Sequence, residues 1–449
     1  MSLRWKPLAL TGWGRGPASG ADAARPERTS DVAVAVAAAR AAGVSAFARG
    51  AGRSYGDGAQ GAGGRAILTG RLDRILAFDP AGPSVVCEAG VAFRDLVDAF
   101  VPRGLVPPVS PGTAFVTVGG AIAADVHGKN HDRHGSFGDH LEWIDVLLAD
   151  GRVVRASPDI EPELFRAVVG GMGLAGIVLR ARFRLLPGGP VLAVRERRIR
   201  DLDDFFAAFE AARASATYSV GWIDALARGR SLGRGIFETA EFAPGEAAAP
   251  ARKPVSVPFD LPGFALSGPS VRAFNAAYWR RVPAAGRESL RPLDAFFYPL
   301  DRLADWHRLY GKRGFYQFQS VVPDARARDA VRAMLEAVGA AGNASFLAVL
   351  KTLGGEGRGF LSFPMRGVTL ALDIPRGTGA GALMQKLERI SRDAGGRIYL
   401  AKDATMSAET FAATYPGLPA FARALDRYDP DGVFATDLSR RLAVRGGFA

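Results

Sequence analysis

The chain has 449 residues, 48% hydrophobic and 23% charged. That is too long for one core, since single cores stop growing near roughly 250–300 residues, and too apolar for a mainly disordered chain. Lysine and arginine total 57 against 45 acidic residues, and the resulting +12 favours anionic partners. No reader motif accompanies that charge, which argues against nucleic acid.

One cysteine, Cys87, stands in the apolar run Val85-Val86-Cys87 and reads as a small buried hydrophobe. An intramolecular disulfide is impossible, and a cysteine-built metal site is not expected. Met1 to Thr11 lacks a long apolar segment, and no run approaches about 20 apolar residues. Neither a secretory signal nor a membrane span is expected.

In chain order, the alanine-rich stretch Asp31 to Ala42 predicts a helix with Ser30 as its N-cap. A strand over Val44 to Ala48 then runs into Arg49-Gly50-Ala51-Gly52-Arg53-Ser54-Tyr55-Gly56-Asp57-Gly58. Short strands follow at Ala66 to Leu68, Ile75 to Phe78 and Ser84 to Glu88, and a helix over Phe93 to Phe100. Ile144 to Leu148 and Val153 to Arg155 flank Asp150-Gly151 as a hairpin. A helix is expected over Glu163 to Val168, and Ile177 to Leu185 alternates as a strand. The character changes near Pro187 to Pro190, where aromatics become frequent. Phe242 to Pro258 reads as a surface loop, either a plain linker or a lid beside a site. Compact motifs return after Gly395.

Glycine clusters at 50–58, 119–128 and 170–176 bring backbone N–H groups close to a ligand. Several such nests suit an extended diphosphate better than one phosphate. They match neither the P-loop nor the dinucleotide fingerprint, because Ser54-Tyr55 disrupts the spacing to a third glycine. Four histidines, His127, His131, His134 and His140, crowd one segment, yet Lys129 and Arg133 between them would repel a cation. No metal spacing appears, and no metal is expected.

An ordered set of segments carries a likeness. It includes Thr11-Gly12-Trp13-Gly14-Arg15, Arg53-Ser54-Tyr55-Gly56-Asp57, Pro111-Gly112-Thr113, Val118-Gly119-Gly120-Ala121-Ile122 and His127-Gly128-Lys129-Asn130-His131. It continues through Gly135-Ser136-Phe137-Gly138, Gly314 to Gln319, Leu361-Ser362-Phe363-Pro364, Tyr399-Leu400-Ala401-Lys402-Asp403 and Ala408-Glu409-Thr410-Phe411. Over most of its length the chain resembles the FAD-linked oxidases of vanillyl-alcohol-oxidase type, and among them the branch acting on polyprenylphosphoryl ribose.

The resemblance implies an α+β fold of two domains. Residues 1–190, completed by 397–449, would form a non-Rossmann FAD-binding domain. Residues 191–396 would form a substrate domain with an antiparallel sheet. Arg49, Gly50, Ala51, Gly52, Arg53, Ser54 and Tyr55 match the loop on the FAD pyrophosphate, and Thr117, Gly119, Gly120 and Ala121 a second wall. Gly173, Gly176 and Ile177 match contacts to the adenylate half. Further cofactor positions are implied at Pro111, Gly112, Thr113, Ala124, His127, Gly128, Asn130, Tyr399 and Lys402. The stretch Arg49 to Arg53 has no histidine to tether the flavin, so noncovalent FAD is expected.

The implied reaction is oxidation of the C2' hydroxyl of a polyprenylphosphoryl-β-D-ribose to a ketone. Lys402, His127 and Tyr55 are the implied catalytic residues, with His127 able to exchange a proton near neutrality. Gln317, Gln319, Lys351, Tyr399 and Lys129 match substrate positions, the role of Lys129 staying open. Period-two alternation puts Gln317 and Gln319 on one strand face. Ala371 stands where mycobacterial relatives carry a cysteine that captures nitroaromatic inhibitors, and Phe297-Tyr298 departs from the family's order. A separate NAD(P)H-dependent keto-reductase would complete the epimerisation. The charge, with Arg252-Lys253, suits peripheral contact with an anionic membrane from the cytoplasmic side. The competing reading is an FAD-linked oxidase of a soluble sugar, polyol or aldonolactone.

Overall fold

The short early strands pair into two separate sheets. The computed structural model describes residues 3–245 and 255–446. In it β1 (Lys6–Leu10), β2 (Ser19–Ala24), β3 (Ala46–Arg49) and β4 (Arg65–Leu68) form a sheet in the order β1-β2-β4-β3. A second sheet contains β5 (Ile75–Asp79), β6 (Ser84–Glu88), β7 (Leu141–Leu147), β8 (Val153–Ala156) and β9 (Ile177–Arg184). Its order is β5-β6-β9-β7-β8, antiparallel throughout, and the expected hairpin is β7-β8. Cys87 is fully buried on β6.

Helix α1 (Thr29–Ala41) buries Val32, Ala35, Val36 and Ala39, whose spacing of three and four residues makes one apolar face. It starts earlier than expected, and Ser30 is not its N-cap. Arg28 holds that position, and the Asp31 carboxylate accepts from the Arg28 backbone N–H at 3.2 Å. The acid in the first turn, rather than the serine, satisfies the free N–H. Helices α2 (Phe93–Phe100) and α3 (Val118–Ala123) follow.

From residue 191 onward the chain builds a larger sheet. Its strands are β10 (Val191–Ile199), β11 (Tyr218–Ile223), β12 (Gly235–Phe242), β13 (Arg287–Pro292), β14 (Phe315–Pro323), β15 (Ala348–Leu353), β16 (Gly367–Pro375) and β17 (Arg397–Ile398). They lie in the order β13-β10-β12-β11-β15-β16-β14-β17, with every pairing antiparallel. Helices α4 (Leu202–Ser215), α5 (Asp324–Ala341) and α6 (Ala380–Asp393) cover one face of this sheet. Side chains alternate across a strand, so the other face carries Val220, Trp222, Ile236, Glu238, Val349, Lys351, Ala371, Asp373, Gln317 and Gln319. These residues form the floor of the cavity described below.

The end of the chain packs back on the first sheet. Ala46 N donates to Val433 O at 2.7 Å, and Phe434 is buried with Val32 and Ile67. Arg441 holds Asp57 with two bonds of 2.8 Å and reaches the buried Asp403 at 2.8 Å. Of the loop expected over Phe242 to Pro258, residues 246–254, including Arg252-Lys253, lie outside the described residues. Val255–Ser256 is a short strand pairing in parallel with Leu303–Ala304, so this part is no free loop. Among the described residues no helix is long and apolar enough to cross a membrane.

Arg441→Met would leave Asp403 buried without its cation. Breaking a buried pair costs roughly 3–5 kcal/mol, and the partial exposure of Arg441 reduces this to about 2–4 kcal/mol. Chemical denaturation of the variant and the parent checks that value.

Candidate active site

Loop 50–55, the second glycine wall and the floor of the large sheet enclose one cavity of about 590 Å³. That is within the usual span for a cofactor or substrate site. Gly50, Ala51, Gly52, Arg53, Ser54 and Tyr55 line it. None of the backbone N–H groups from Gly50 to Ser54 donates to an acceptor among the described residues. Free N–H groups in series at a cavity wall make an anion nest, and they suit a diphosphate. Gly50 also lets two walls meet, since a Cβ there would lie 2.3 Å from Thr117 Oγ1. Thr117 in turn caps α3, its hydroxyl accepting from Gly120 N at 3.3 Å. Pro111, Gly112, Thr113, Thr117, Gly119, Gly120, Ala124, Gly128, Gly173, Gly176 and Ile177 all line the same space.

Three implied cofactor residues do not line it. Arg49 points away, donating to Ala59 O and Thr11 O at 2.8 Å, and so braces the loop from behind. Ala121 is a fully buried core residue of α3. Asn130 donates to Pro108 O at 2.8 Å and holds the chain beneath the cavity. Among the four histidines only His127 reaches the cavity. His131 accepts from Gly354 N at 3.0 Å, and the His140 ring binds His134 O at 2.7 Å.

The reacting end is made by segments far apart in sequence. Tyr55 N donates to Ala401 O at 2.9 Å, and Lys402 Nζ lies 3.8 Å from the centre of the Tyr55 ring. Tyr399 donates to Ala124 O at 3.0 Å, and its ring packs 5.1 Å from that of His127. Gln319 Nε2 meets His127 Nε2 at 2.9 Å. An amide nitrogen is only a donor, so this ring nitrogen accepts and the ring proton sits on Nδ1. His127 Nδ1 is buried and has no partner among the described residues. A lone donor in a cavity-lining ring is a place for a ligand acceptor.

Burial holds His127 neutral, its pKa well below the ordinary imidazole value, with Lys351 and Lys402 nearby adding to the effect. The expectation that His127 exchanges a proton near neutrality therefore gives way to a fixed neutral donor. Lys402 is one of the groups brought towards neutrality there. Burial and Lys351 push its pKa down to about 7, while Asp373 opposes them. Asp373 is itself buried and pushed up to about 6, although Gln317 Nε2 at 2.5 Å and Tyr310 OH at 2.8 Å donate to it. Lys351 contacts Gly128 O at 3.4 Å, and Lys129 donates to Phe296 O with its ammonium 4.1 Å from that ring's centre.

Sequence reasoning missed Asp373, which faces Gln317 directly across β16 and β14. It also missed Trp13, which stacks 3.9 Å from the Arg53 guanidinium, and the lining residues Trp222, Glu238, Tyr278 and Arg281. Phe297 lines the cavity, whereas Tyr298 is buried and donates to Ser110 Oγ at 3.1 Å.

Comparison with known proteins gives the site a context. A family model for an FAD binding domain matches residues 22–157, and one for D-arabinono-1,4-lactone oxidase matches residues 370–442. Decaprenylphosphoryl-beta-D-ribose oxidase of Mycolicibacterium smegmatis is 37% identical over 452 residues, covering 97% of this chain and 97% of its own. An uncharacterised protein of Streptomyces coelicolor is 36% identical, covering 79% of this chain and all of its own. Cytokinin dehydrogenase 4 of Arabidopsis thaliana is 31% identical over only 31% of this chain.

Gly56 tests the loop. A Cβ there would lie 1.7 Å from the Asp403 carbonyl oxygen, a contact that only backbone movement relieves. Gly56→Ala should weaken flavin retention at least about tenfold, the effect of some 1.4 kcal/mol. Flavin released on dilution, followed by fluorescence, measures it.

Proposed function

Because the chain belongs to the decaprenylphosphoryl-β-D-ribose oxidase family of FAD-dependent oxidoreductases, we propose that it oxidises the C2' hydroxyl of a polyprenylphosphoryl-β-D-ribose to the 2'-keto form. The observation that carries this reading is the meeting of Lys402, Tyr55, His127 and Gln319 at one end of a cavity whose other end is an anion nest. FAD supplies the hydride acceptor. It is held noncovalently, and the cavity lining offers no cysteine and one histidine, His127.

Within this reading Lys402, as a neutral amine, takes the proton of the substrate hydroxyl. Its low pKa leaves a lone pair available near neutrality, and Asp373 stabilises the ammonium that forms. His127 donates through Nδ1 to an acceptor in the cavity while Gln319 fixes its ring. Tyr55 supplies an aromatic face to Lys402, and its own hydroxyl stays protonated because burial raises its pKa. Gln317 holds Asp373 in place. The division into an FAD-binding part, residues 1–190 with 397–449, and a substrate part, residues 191–396, assigns the nest to the first and the floor to the second.

The ketone product calls for a separate NAD(P)H-dependent reductase if the outcome is an epimer at C2'. A lipid substrate also calls for contact with a bilayer surface, and the +12 charge suits an anionic face on the cytoplasmic side. The competing reading, a soluble aldonolactone or sugar oxidase, draws on the lactone-oxidase family match, which spans only residues 370–442.

Anaerobic mixing with a polyprenylphosphoryl ribose should bleach the flavin absorbance. Bleaching by free sugars or lactones but not by the lipid phosphate would favour the soluble-substrate enzyme instead. Lys402→Ala should slow bleaching by roughly 10³-fold, within the range for a lost general base; unchanged turnover would remove its assigned role. An ammonium cannot accept a proton, so kcat/KM should rise with pH towards about 7 as Lys402 becomes neutral. Acid denaturation should release all the flavin from the chain.

A further inference from the structure

The cavity carries more positive charge than the oxidation uses. Of only seven lysines in the chain, three, Lys129, Lys351 and Lys402, line it. Ion pairs among the described residues are made by arginines and none by a lysine. Lys402 has Asp373 acting on it and a role at the hydroxyl. Among the described residues Lys351 and Lys129 have only neutral carbonyl partners, Gly128 O and Phe296 O. Glu238, the carboxylate that acts on Lys129, is taken by Arg291 at 3.0 Å. Burial lowers both lysines, to about 7 for Lys351 and about 8 for Lys129, and Lys129 adds to the effect on Lys351. Two cations held together without a counter-ion are costly unless a bound anion offsets them.

Their place along the cavity fits one group of the substrate. Lys351 lies on β15, two strands across the sheet from Gln319 on β14, a distance of roughly 10 Å at strand spacing. Its ammonium reaches back to the residue after His127. The same cavity is also lined by the apolar side chains of Phe297, Leu300 and Leu303. We propose that Lys351 and Lys129 together bind the substrate's phosphodiester, beside the reacting groups at His127. This rests on the polyprenylphosphoryl-sugar reading of the site. A phosphodiester keeps one negative charge across the pH range of the enzyme, and compact ammonium charges suit it.

The FAD-loaded enzyme is titrated with farnesyl phosphate and with farnesol, which lacks the anion, and binding is followed by the absorbance of the bound flavin. The wild type should bind the phosphate at least tenfold more tightly. Lys351→Met and Lys129→Met should each reduce that preference at least tenfold, with flavin content confirming that each variant folds. Equal binding of the two probes by the wild type, or a preference surviving both substitutions, overturns the proposal. The wild-type comparison stands even if a variant fails to fold. If no polyprenylphosphoryl ribose bleaches the flavin while the preference persists, the substrate reading fails and the anion site stands. If the lipid phosphate bleaches the flavin and no preference exists, this inference alone fails.

Discussion

Arg441 ties together the two segments whose relative position the site requires. Its guanidinium spans Asp57, at the end of the glycine loop, and Asp403, one residue beyond Lys402. Planar, forked recognition of two carboxylates fixes distance and angle together, which a lysine could not do. With the clamp in place, Tyr55 N meets Ala401 O, and Gly56 packs its bare Cα against the Asp403 carbonyl. The Lys402 ammonium over the Tyr55 ring follows from that geometry. The clamp also orients the nest, because residues 50–54 are the continuation of the strand that the C-terminal segment pairs with through Ala46.

Arginine and lysine divide the electrostatic work. Arginines make the ion pairs, including three around the buried Glu196, and their charge is fixed at any working pH. Lysine instead gives up its proton when buried, so the cavity lysines have pKa values brought near neutrality by desolvation. In the ligand-free protein this limits the cost of burying them, since they need not all be charged at once. A phosphate held between Lys351 and Lys129 would favour their charged forms again. The nest of N–H groups, by contrast, has no titration to lose and attracts anions at all pH values.

The glycine loop was legible because its function is written in local backbone chemistry. The same holds for β6, α2 and the β7-β8 hairpin, whose apolar periods and turn pair lie within a few residues. Gln317 and Gln319 shared a face by simple alternation. What stayed hidden depends on distant partners. Asp373 is significant because Tyr310 and Gln317 converge on it, and nothing in Thr369 to Asp373 announces that. Arg49 stood in the right loop but turned towards Thr11 and Ala59, a choice made by tertiary contacts. Nothing local distinguishes Trp222 and Tyr278 from core aromatics, because a cavity wall and a core have the same composition.

The large sheet sets the residues near His127 apart from those further along the cavity. Residues paired across its strands form rows on the cavity face. Gln319, Ala371, Val349, Trp222 and Ile236 make one row, and Thr369, Lys351, Val220 and Glu238 the next. Each strand step carries a side chain about 5 Å further from the His127 end. The sheet residues that act on His127 and Lys402, namely Gln319, Gln317 and Asp373, all lie on the first two strands. Ala371 is on the second of these strands, yet it contributes only a methyl group, so the polar contacts around it do not depend on its side chain. Substitutions further along the rows reshape the space for phosphate and lipid, while the hydrogen bonds at the reacting end keep their geometry because β14 and β16 are held by nine paired residues.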